Sequence, residues 1–578
     1  MIILQSVVFG LLAIGSSAGA GADEAHLEVS VSDRYVDPGA EIEVRWTARG
    51  FDSLTLEPGG IDLSKLGKDG MGGMTMKVLE TTVYTLTAKQ GNEEVRKSIR
   101  VAVGPPRPNL VFFLVDDMGW QDCSVPFHHD AAGNPVISEL NRRYRTPHME
   151  KLAEGGLRFS RAYAHPVCTP SRIAWLTGKN PARHHVTNWT SPDGSETGDQ
   201  DLEHLRSPRE WRRKGIARGE TTLPGVLSEA GYRTIHCGKG HFGSRGSYGQ
   251  FPTALGFDVN IAGCEIGHPG SYSGDYGQST SRAVPGLEAY HHKDVHLTDA
   301  LTKELLREIS SAVEEGVPFF ASMAHYAVHS PFQEDARFAA NYPGMTGPER
   351  AYATLIEGMD RSLGDIMAGL EKLGVAEDTL IVFLSDNGGD APMARGNAPL
   401  RAKKGWAYEG GIRVPMIASW ARRDSTNAFQ KSVPIPAAGI EDDLVHISDI
   451  FPTFLALARC GPVESADGHD LSAYLRGEAG EHRPQRLVIH FPHNHNDRFF
   501  SVLHEGTWKL IYRYEDGSQE LYQLATDLGE TRDLAATEPE RVRRMTATLE
   551  AELKEMGAQF PWNLKTGAEE KIRPIPEP

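Results

Sequence analysis

The run Asn109-Leu110-Val111-Phe112-Phe113-Leu114-Val115 is almost wholly apolar and stops abruptly at Asp116-Asp117. A run with no polar alternation has no face to offer water, so it reads as a strand buried on both sides inside a parallel sheet. A second run, Leu380-Ile381-Val382-Phe383-Leu384, stops in the same way at Ser385-Asp386-Asn387-Gly388-Gly389. Helical stretches at 302–315 and 351–373 lie among the buried strands, which predicts an α/β fold with a central sheet. Carboxylates at the C-terminal ends of such strands stand where open α/β sheets place their ligand sites. An Asp-Asp pair after one strand is usually a turn or a helix cap. Two strand ends carrying three aspartates and an asparagine amide offer a set of hard oxygen ligands, suited to calcium or magnesium rather than zinc.

Between the two runs lies Cys168-Thr169-Pro170-Ser171-Arg172, continuing Ile173-Ala174-Trp175-Leu176-Thr177-Gly178. Pro170 and Ser171 are residues of helix starts. A nucleophile there faces backbone N–H groups and the positive end of a helix dipole. An isolated cysteine in a globular chain is more often a small buried hydrophobe. Here the run C-T-P-S-R-x-x-x-L-T-G resembles the signature of the type I sulfatases, whose cysteine is oxidised to formylglycine. Three further motifs follow in the order that family shows. Gly231-Tyr232-Arg233-Thr234-Ile235-His236-Cys237-Gly238-Lys239-Gly240-His241 is similar to G-Y-x-T-x-x-x-G-K-x-H, with Gly240 at a usual aromatic position. Ala327-Val328-His329-Ser330-Pro331-Phe332 is similar to A-P-H-x-P-F, with Val328 for proline. Leu400-Arg401-Ala402-Lys403-Lys404 through Glu409-Gly410-Gly411-Ile412-Arg413-Val414-Pro415 is similar to L-R-G-x-K-x-x-x-x-E-G-G-x-R-V-P, with Ala402 for glycine.

The resemblance covers roughly residues 107–560. It implies that Asp116, Asp117, Asp386, Asn387 and residue 168 bind one Ca²⁺. It implies Cys168, Arg172, Lys239, His241, His329 and Lys404 as the catalytic set. Hydrated formylglycine would attack sulfur while Ca²⁺, Arg172, Lys239 and Lys404 hold the sulfate oxygens. His329 with Lys404 would protonate the leaving alcohol, and His241 would take a proton so that sulfate is expelled. It further implies a formylglycine-generating maturation enzyme as a partner, and sulfated glycans or other sulfated small molecules as substrates. Phosphonate or phosphate ester hydrolysis by a related enzyme is the alternative chemistry. A catalytically silent glycan-binding protein is the alternative class. The chain holds 23 histidines, so most are ordinary. His325 reads as structural, and His128, His129, His184, His185, His291, His292 and His296 as surface or supporting residues. The stretch from His490 to Arg498 is dense in hydrogen-bonding groups, and reads equally as a substrate-side loop or a plain surface loop.

At 578 residues the chain has room for two to four domains. Its net charge of −17 argues against nucleic acid as a partner. Five scattered cysteines make no disulfide framework. Val7 to Ile14, followed by Ala18-Gly19-Ala20-Gly21-Ala22, reads as an export signal, which implies a periplasmic or secreted protein. It is too short to span a membrane, and no other segment is long and apolar enough. From Leu27 to Val103, apolar and polar residues alternate in pairs of short runs broken by Asp37-Pro38-Gly39 and Pro58-Gly59-Gly60, which predicts a small antiparallel sandwich. Its stretch 81–88 resembles bacterial immunoglobulin-like modules. Gly104-Pro105-Pro106-Arg107-Pro108 reads as a stiff linker. Near the end, strands at 487–490 and 508–514 precede an amphipathic helix over 540–556. The expected architecture is therefore a signal at 1–22, an immunoglobulin-like β-sandwich at 23–104, and an alkaline phosphatase-like α/β catalytic domain at 105–485. A C-terminal sheet-and-helix subdomain at 486–578 completes it.

Overall fold

A computed structural model describes residues 26–573, apart from Arg34, 66–69, Asn92, 105–106, Ala131, 199–203, Ala394 and Glu481. The segment read as an export signal lies outside the described residues.

Eight strands form the central sheet, in the order Val259–Ile261, Arg233–Gly238, Phe319–Ala324, Asn109–Val115, Thr379–Ser385, Met416–Trp420, Leu157–Phe159 and Gly439–Glu441. The first five run parallel. Met416–Trp420 pairs antiparallel with both of its neighbours, so the sheet is mixed. Every residue of Asn109–Val115 and Thr379–Ser385 is buried, in keeping with the apolar runs at their centres. Alternate side chains of Asn109–Val115 feed two different cores. Val111, Phe113 and Val115 pack with Leu301, Leu305 and Leu355 on one face. Leu110, Phe112 and Leu114 pack with Trp175, Phe451 and Phe454 on the other.

The two long helices run over Leu297–Glu315 and Gly347–Lys372. Each begins several residues before the stretch read from the sequence, and in the first Leu297, Ala300 and Leu301 already face the core. The first is capped by His296, whose side chain accepts from the Thr298 N–H. The second opens on Gly347, Pro348, Glu349 and Arg350, a polar first turn with no apolar face to betray it. Toward the C-terminus, Arg486–Asn494, Arg498–Glu505, Trp508–Arg513 and Gln519–Gln523 make an antiparallel sheet. Helix Pro539–Glu555 lays Val542, Met545, Leu549 and Leu553 on it.

The N-terminal strands form two sheets, one of three strands and one of five. Val44 and Trp46 from the first share a core with Leu56 and Leu86 from the second. This region meets the α/β body at the N-terminal ends of the parallel strands. The Tyr232 hydroxyl donates to the Pro108 carbonyl at 2.9 Å, and a Cβ on Gly316 would lie 2.8 Å from the Arg100 nitrogen. Asp116 and Asp386 stand at the opposite ends of those strands. The N-terminal sheets are thus held away from the acidic strand ends. All five cysteines are unpaired, and no described helix is long and apolar enough to cross a membrane.

Several histidines are sealed in the interior as neutral rings, which predicts acid sensitivity. Burial pushes His236 and His325 down to about 3 and His490 down to about 4. Above the unfolded value of 6.5 these rings are neutral in both states and contribute nothing to pH dependence. Below it the unfolded chain takes up protons that the folded chain refuses, so stability falls until the folded values are reached. Between pH 6.5 and 5.5 the three together should cost about 3 kcal/mol. Urea midpoints measured across that range should drop accordingly, and the His490→Gln variant should show a weaker dependence. A midpoint that stays flat from pH 7 to 5.5 would contradict this reading.

Candidate active site

The C-terminal ends of the parallel strands converge on residue 168. Cys168 opens the helix Cys168–Thr177, every residue of which is buried. Ser171 secures the approach to that helix, because its hydroxyl accepts the His165 N–H at 2.9 Å. The Cys168 sulfur lies 3.8 Å from an Asp116 carboxylate oxygen. Burial pushes the thiol up to about 11, outweighing the pull of Lys239 and Lys404. An unmodified thiol here stays protonated at neutral pH and is a weak nucleophile.

Three carboxylates and three cations surround this point, and each carboxylate has a different nearest cation. Lys239 Nζ donates to Asp116 at 2.6 Å. Lys404 Nζ lies 2.5 Å from Asp117. The Arg172 guanidinium lies 2.8 Å from Asp386, and its Nη1 donates to the Lys239 carbonyl at 2.9 Å. All six side chains are buried. Burial, then the adjoining Asp386 carboxylate, pushes Asp116 well above the usual carboxylate range despite Lys239. Burial also opposes ionisation of Asp117, but Lys404 and His329 outweigh it and hold that carboxyl low. Asp117 has φ 61, a left-handed conformation that aspartate tolerates better than most residues.

The donor chemistry fits a hard divalent cation. Asp116, Asp117 and Cys168 each offer one ligand atom, all within 4.8 Å of one another. Asn387 donates its amide N–H to Asp117 at 2.8 Å, while its buried Oδ1 has no partner. An orphaned amide oxygen among carboxylates is what an oxygen-preferring cation would satisfy. Asp386 belongs to the same ring of residues, since its Oδ1 accepts the Asp117 N–H at 3.3 Å.

The two motif histidines are fixed in opposite tautomers. His241 Nε2 is 2.9 Å from the Thr190 carbonyl, which can only accept, so Nε2 carries the hydrogen. Its Nδ1 is left as a buried acceptor without a partner. His329 does the reverse: Nδ1 donates to the Ser330 carbonyl at 2.9 Å, and Nε2 stands 3.5 Å from Asp117. Burial, reinforced by Lys239, holds His241 well below its ordinary value. Burial does the same to His329, with Asp117 opposing and Lys404 adding.

Of the departures from the family motifs, Gly240 has a local reason, while nothing in the structure explains Ala402 or Val328. A Cβ on Gly240 would lie 2.9 Å from the Cys264 carbonyl, so in this chain the backbone of residue 264 closes over that position. Ala402 has φ 62, the conformation that glycine adopts without steric cost. His325, read as structural, is fully buried against Phe113 with Nε2 3.0 Å from the Ser362 hydroxyl. The 490–498 stretch reaches the site, because Asn496 donates to the Lys404 carbonyl at 2.9 Å and His495 lies against Trp189. Two residues near the site had no motif to mark them. His268 stacks on His329, and Thr190 sets the His241 tautomer through its backbone.

A buried centre of carboxylates and cations at the end of a parallel sheet, opened by a helix N-terminus, suits the binding and hydrolysis of anionic esters. The sulfatase family model matches residues 108–460. A sulfatase of Formosa agariphila is 28% identical over 525 residues, spanning 80% of this chain and 90% of that protein. The N-acetylgalactosamine-6-sulfatase of Canis lupus familiaris is 31% identical over 408 residues, spanning 66% of this chain and 69% of that one. The solved structure of Ps i-CgsB superposes with a TM-score of 0.63 at 25% identity, covering 79% of this chain and 95% of that one. The chain belongs to the sulfatase family. It is a type I sulfatase of the alkaline phosphatase-like superfamily, a sulfuric ester hydrolase.

Proposed function

We propose that this protein removes sulfate from a sulfated glycan, using formylglycine at position 168 and one Ca²⁺. The observation that carries the reading is the buried clustering of Asp116, Asp117 and Asp386 with Lys239, Lys404 and Arg172 around residue 168. The glycan class is supported by the likeness to an N-acetylgalactosamine-6-sulfatase. Asp116, Asp117, Asp386 and Asn387 would hold the calcium, which supplies Lewis-acid stabilisation of charge on sulfate. Formylglycine supplies an oxygen nucleophile where the thiol is protonated and poor.

The remaining work falls to this chain's own side chains. Lys239 and Lys404 place positive charge where charge builds on the sulfate oxygens, usually the largest catalytic contribution. Arg172 is fully buried and engaged with Asp386 and the Lys239 backbone, so it acts chiefly by aligning those two. His329 Nε2 is the atom that passes a proton to the leaving alcohol once the ring has been charged, and Asp117, 3.5 Å from it, stabilises that charged form. His241 Nδ1 is the open acceptor that takes a proton when sulfate is expelled.

These roles separate in kinetics. His329→Ala should cost about 10²–10⁴-fold on sugar sulfates, whose alcohols need protonation, and much less on an activated aryl sulfate. His241→Ala should slow turnover for both, with one equivalent of alcohol released in a burst ahead of sulfate. Equal losses on both esters, with no burst, would refute the division of labour. The overall reading is tested by sulfate release from a panel of sulfated mono- and oligosaccharides, using protein co-produced with its maturation enzyme. Phosphate and phosphonate esters run alongside. Preference for those, or inertness toward every ester, would favour the related-hydrolase or the silent-binder reading instead.

The rest of the architecture is proposed on the same footing. Residues 23–104 form an immunoglobulin-like module, 105–485 the catalytic domain and 486–578 its C-terminal subdomain, with 1–22 an export signal to the periplasm or exterior. The remoteness of the N-terminal sheets from residue 168 favours a packing spacer over a substrate-contacting role.

A further inference from the structure

One short segment, residues 263–268, touches both histidines of the site. The Cys264 carbonyl accepts the His241 backbone N–H at 2.9 Å. Gly267 lies so close to the His241 ring that a Cβ there would sit 2.8 Å from Cε1. The next residue, His268, lies parallel to His329, with centroids 5.4 Å apart and planes 9° apart.

The two stacked rings are held in the same way. His268 Nδ1 donates to the Pro269 carbonyl at 3.0 Å, as His329 Nδ1 donates to the Ser330 carbonyl at 2.9 Å. In each ring the neighbouring carbonyl fixes the tautomer and leaves Nε2 as the free acceptor. His329 Nε2 is turned to Asp117. His268 Nε2 bonds to no described residue, and it is not among the atoms sealed from solvent without a partner. Half-buried, the ring sits in the positive fields of Arg282, Lys239 and Lys404, which add to burial in keeping it neutral. An oriented, neutral acceptor beside the leaving-group histidine has no structural partner of its own. A residue whose purpose was only to support His329 would need the ring face, but not a fixed tautomer with an open Nε2.

We propose that His268 is a substrate-binding residue whose Nε2 accepts a hydrogen bond from a hydroxyl of the sugar beside the ester oxygen served by His329. It thereby selects hydroxylated glycan sulfates over flat aryl sulfates. The inference rests on the glycan reading above, and extends it to a residue outside every family motif in the chain. A site that expects a hydroxyl penalises a substrate lacking one, because its own polar group is then left unpaired.

The experiment compares wild type, His268→Ala and His268→Gln on 4-nitrophenyl sulfate and on whichever of a panel of sulfated galactosamines, glucosamines and galactoses the wild type cleaves. For His268→Ala, kcat/KM on the sugar should fall by about 30-fold, mainly as a rise in KM, because the bond exists in both ground and transition states. Activity on the aryl ester should stay within about threefold. His268→Gln keeps an acceptor and should recover part of the loss. If His268→Ala lowers kcat on both esters in proportion, the residue is a prop for His329 and the proposal is wrong. An unchanged kcat/KM on the sugar would overturn it equally. If the wild type cleaves the aryl ester but no sugar on the panel, the glycan reading itself has failed, a result distinct from either of these.

Discussion

Replacing Cys168 with alanine should abolish sulfate release, by about 10⁴-fold or more, while leaving the protein folded. The loss is large because the other hydroxyls of the helix start are engaged, Thr169 with the Thr190 N–H and Ser171 with the backbone of His165 and Val167, and the flanking cations bind an anion without cleaving it. The fold should survive because the thiol's one polar contact is the 3.8 Å approach to Asp116. Loss of a sulfur from this buried position should cost about 1–2 kcal/mol in cavity terms. Peptide mass spectrometry supplies the complementary measurement. Active wild type should carry the aldehyde at position 168, and protein made without its maturation enzyme should carry cysteine and be inactive. Full activity with an intact thiol would end the formylglycine reading.

Removing the metal should be almost as severe. Chelation should lower kcat by about 10³-fold, the equivalent of about 4 kcal/mol of lost transition-state stabilisation. Ca²⁺ should restore activity and Zn²⁺ should not, because the donors are carboxylate and amide oxygens. Asp117→Asn is the informative variant. Asparagine also tolerates the left-handed backbone seen at this position, so it removes charge without forcing the chain to move. It leaves Lys404 buried without its 2.5 Å partner. A stability loss of about 3–5 kcal/mol should accompany the activity loss. Elemental analysis decides the case, since full activity in verified metal-free protein would exclude a catalytic ion.

Much of this was readable from local pattern. The apolar runs inside Asn109–Val115 and Thr379–Ser385 suit strands with no wet face, and both strands are buried throughout. The acids that end them were visible because a strand end and a change of polarity are both local. Helix Pro539–Glu555 was legible for the same reason, as an amphipathic period after a proline. Strand Arg498–Glu505 was not, because Ser501 and His504 interrupt its apolar run while being buried in the fold.

What no single stretch carried is the pairing of distant residues. Arg172 meets Asp386 across 214 positions, and Lys239 meets Asp116 across 123. Which cation answers which carboxylate is set by the strand order Arg233–Gly238, Phe319–Ala324, Asn109–Val115, Thr379–Ser385. The opposite tautomers of His241 and His329 depend on the Thr190 and Ser330 carbonyls. His268 gains its place only when residues 263–268 fold back over both rings. Side-chain type and spacing govern which groups are present and which face they occupy. Distances between groups hundreds of residues apart come from packing of the whole sheet, where burial makes each contact strong and each misplacement costly.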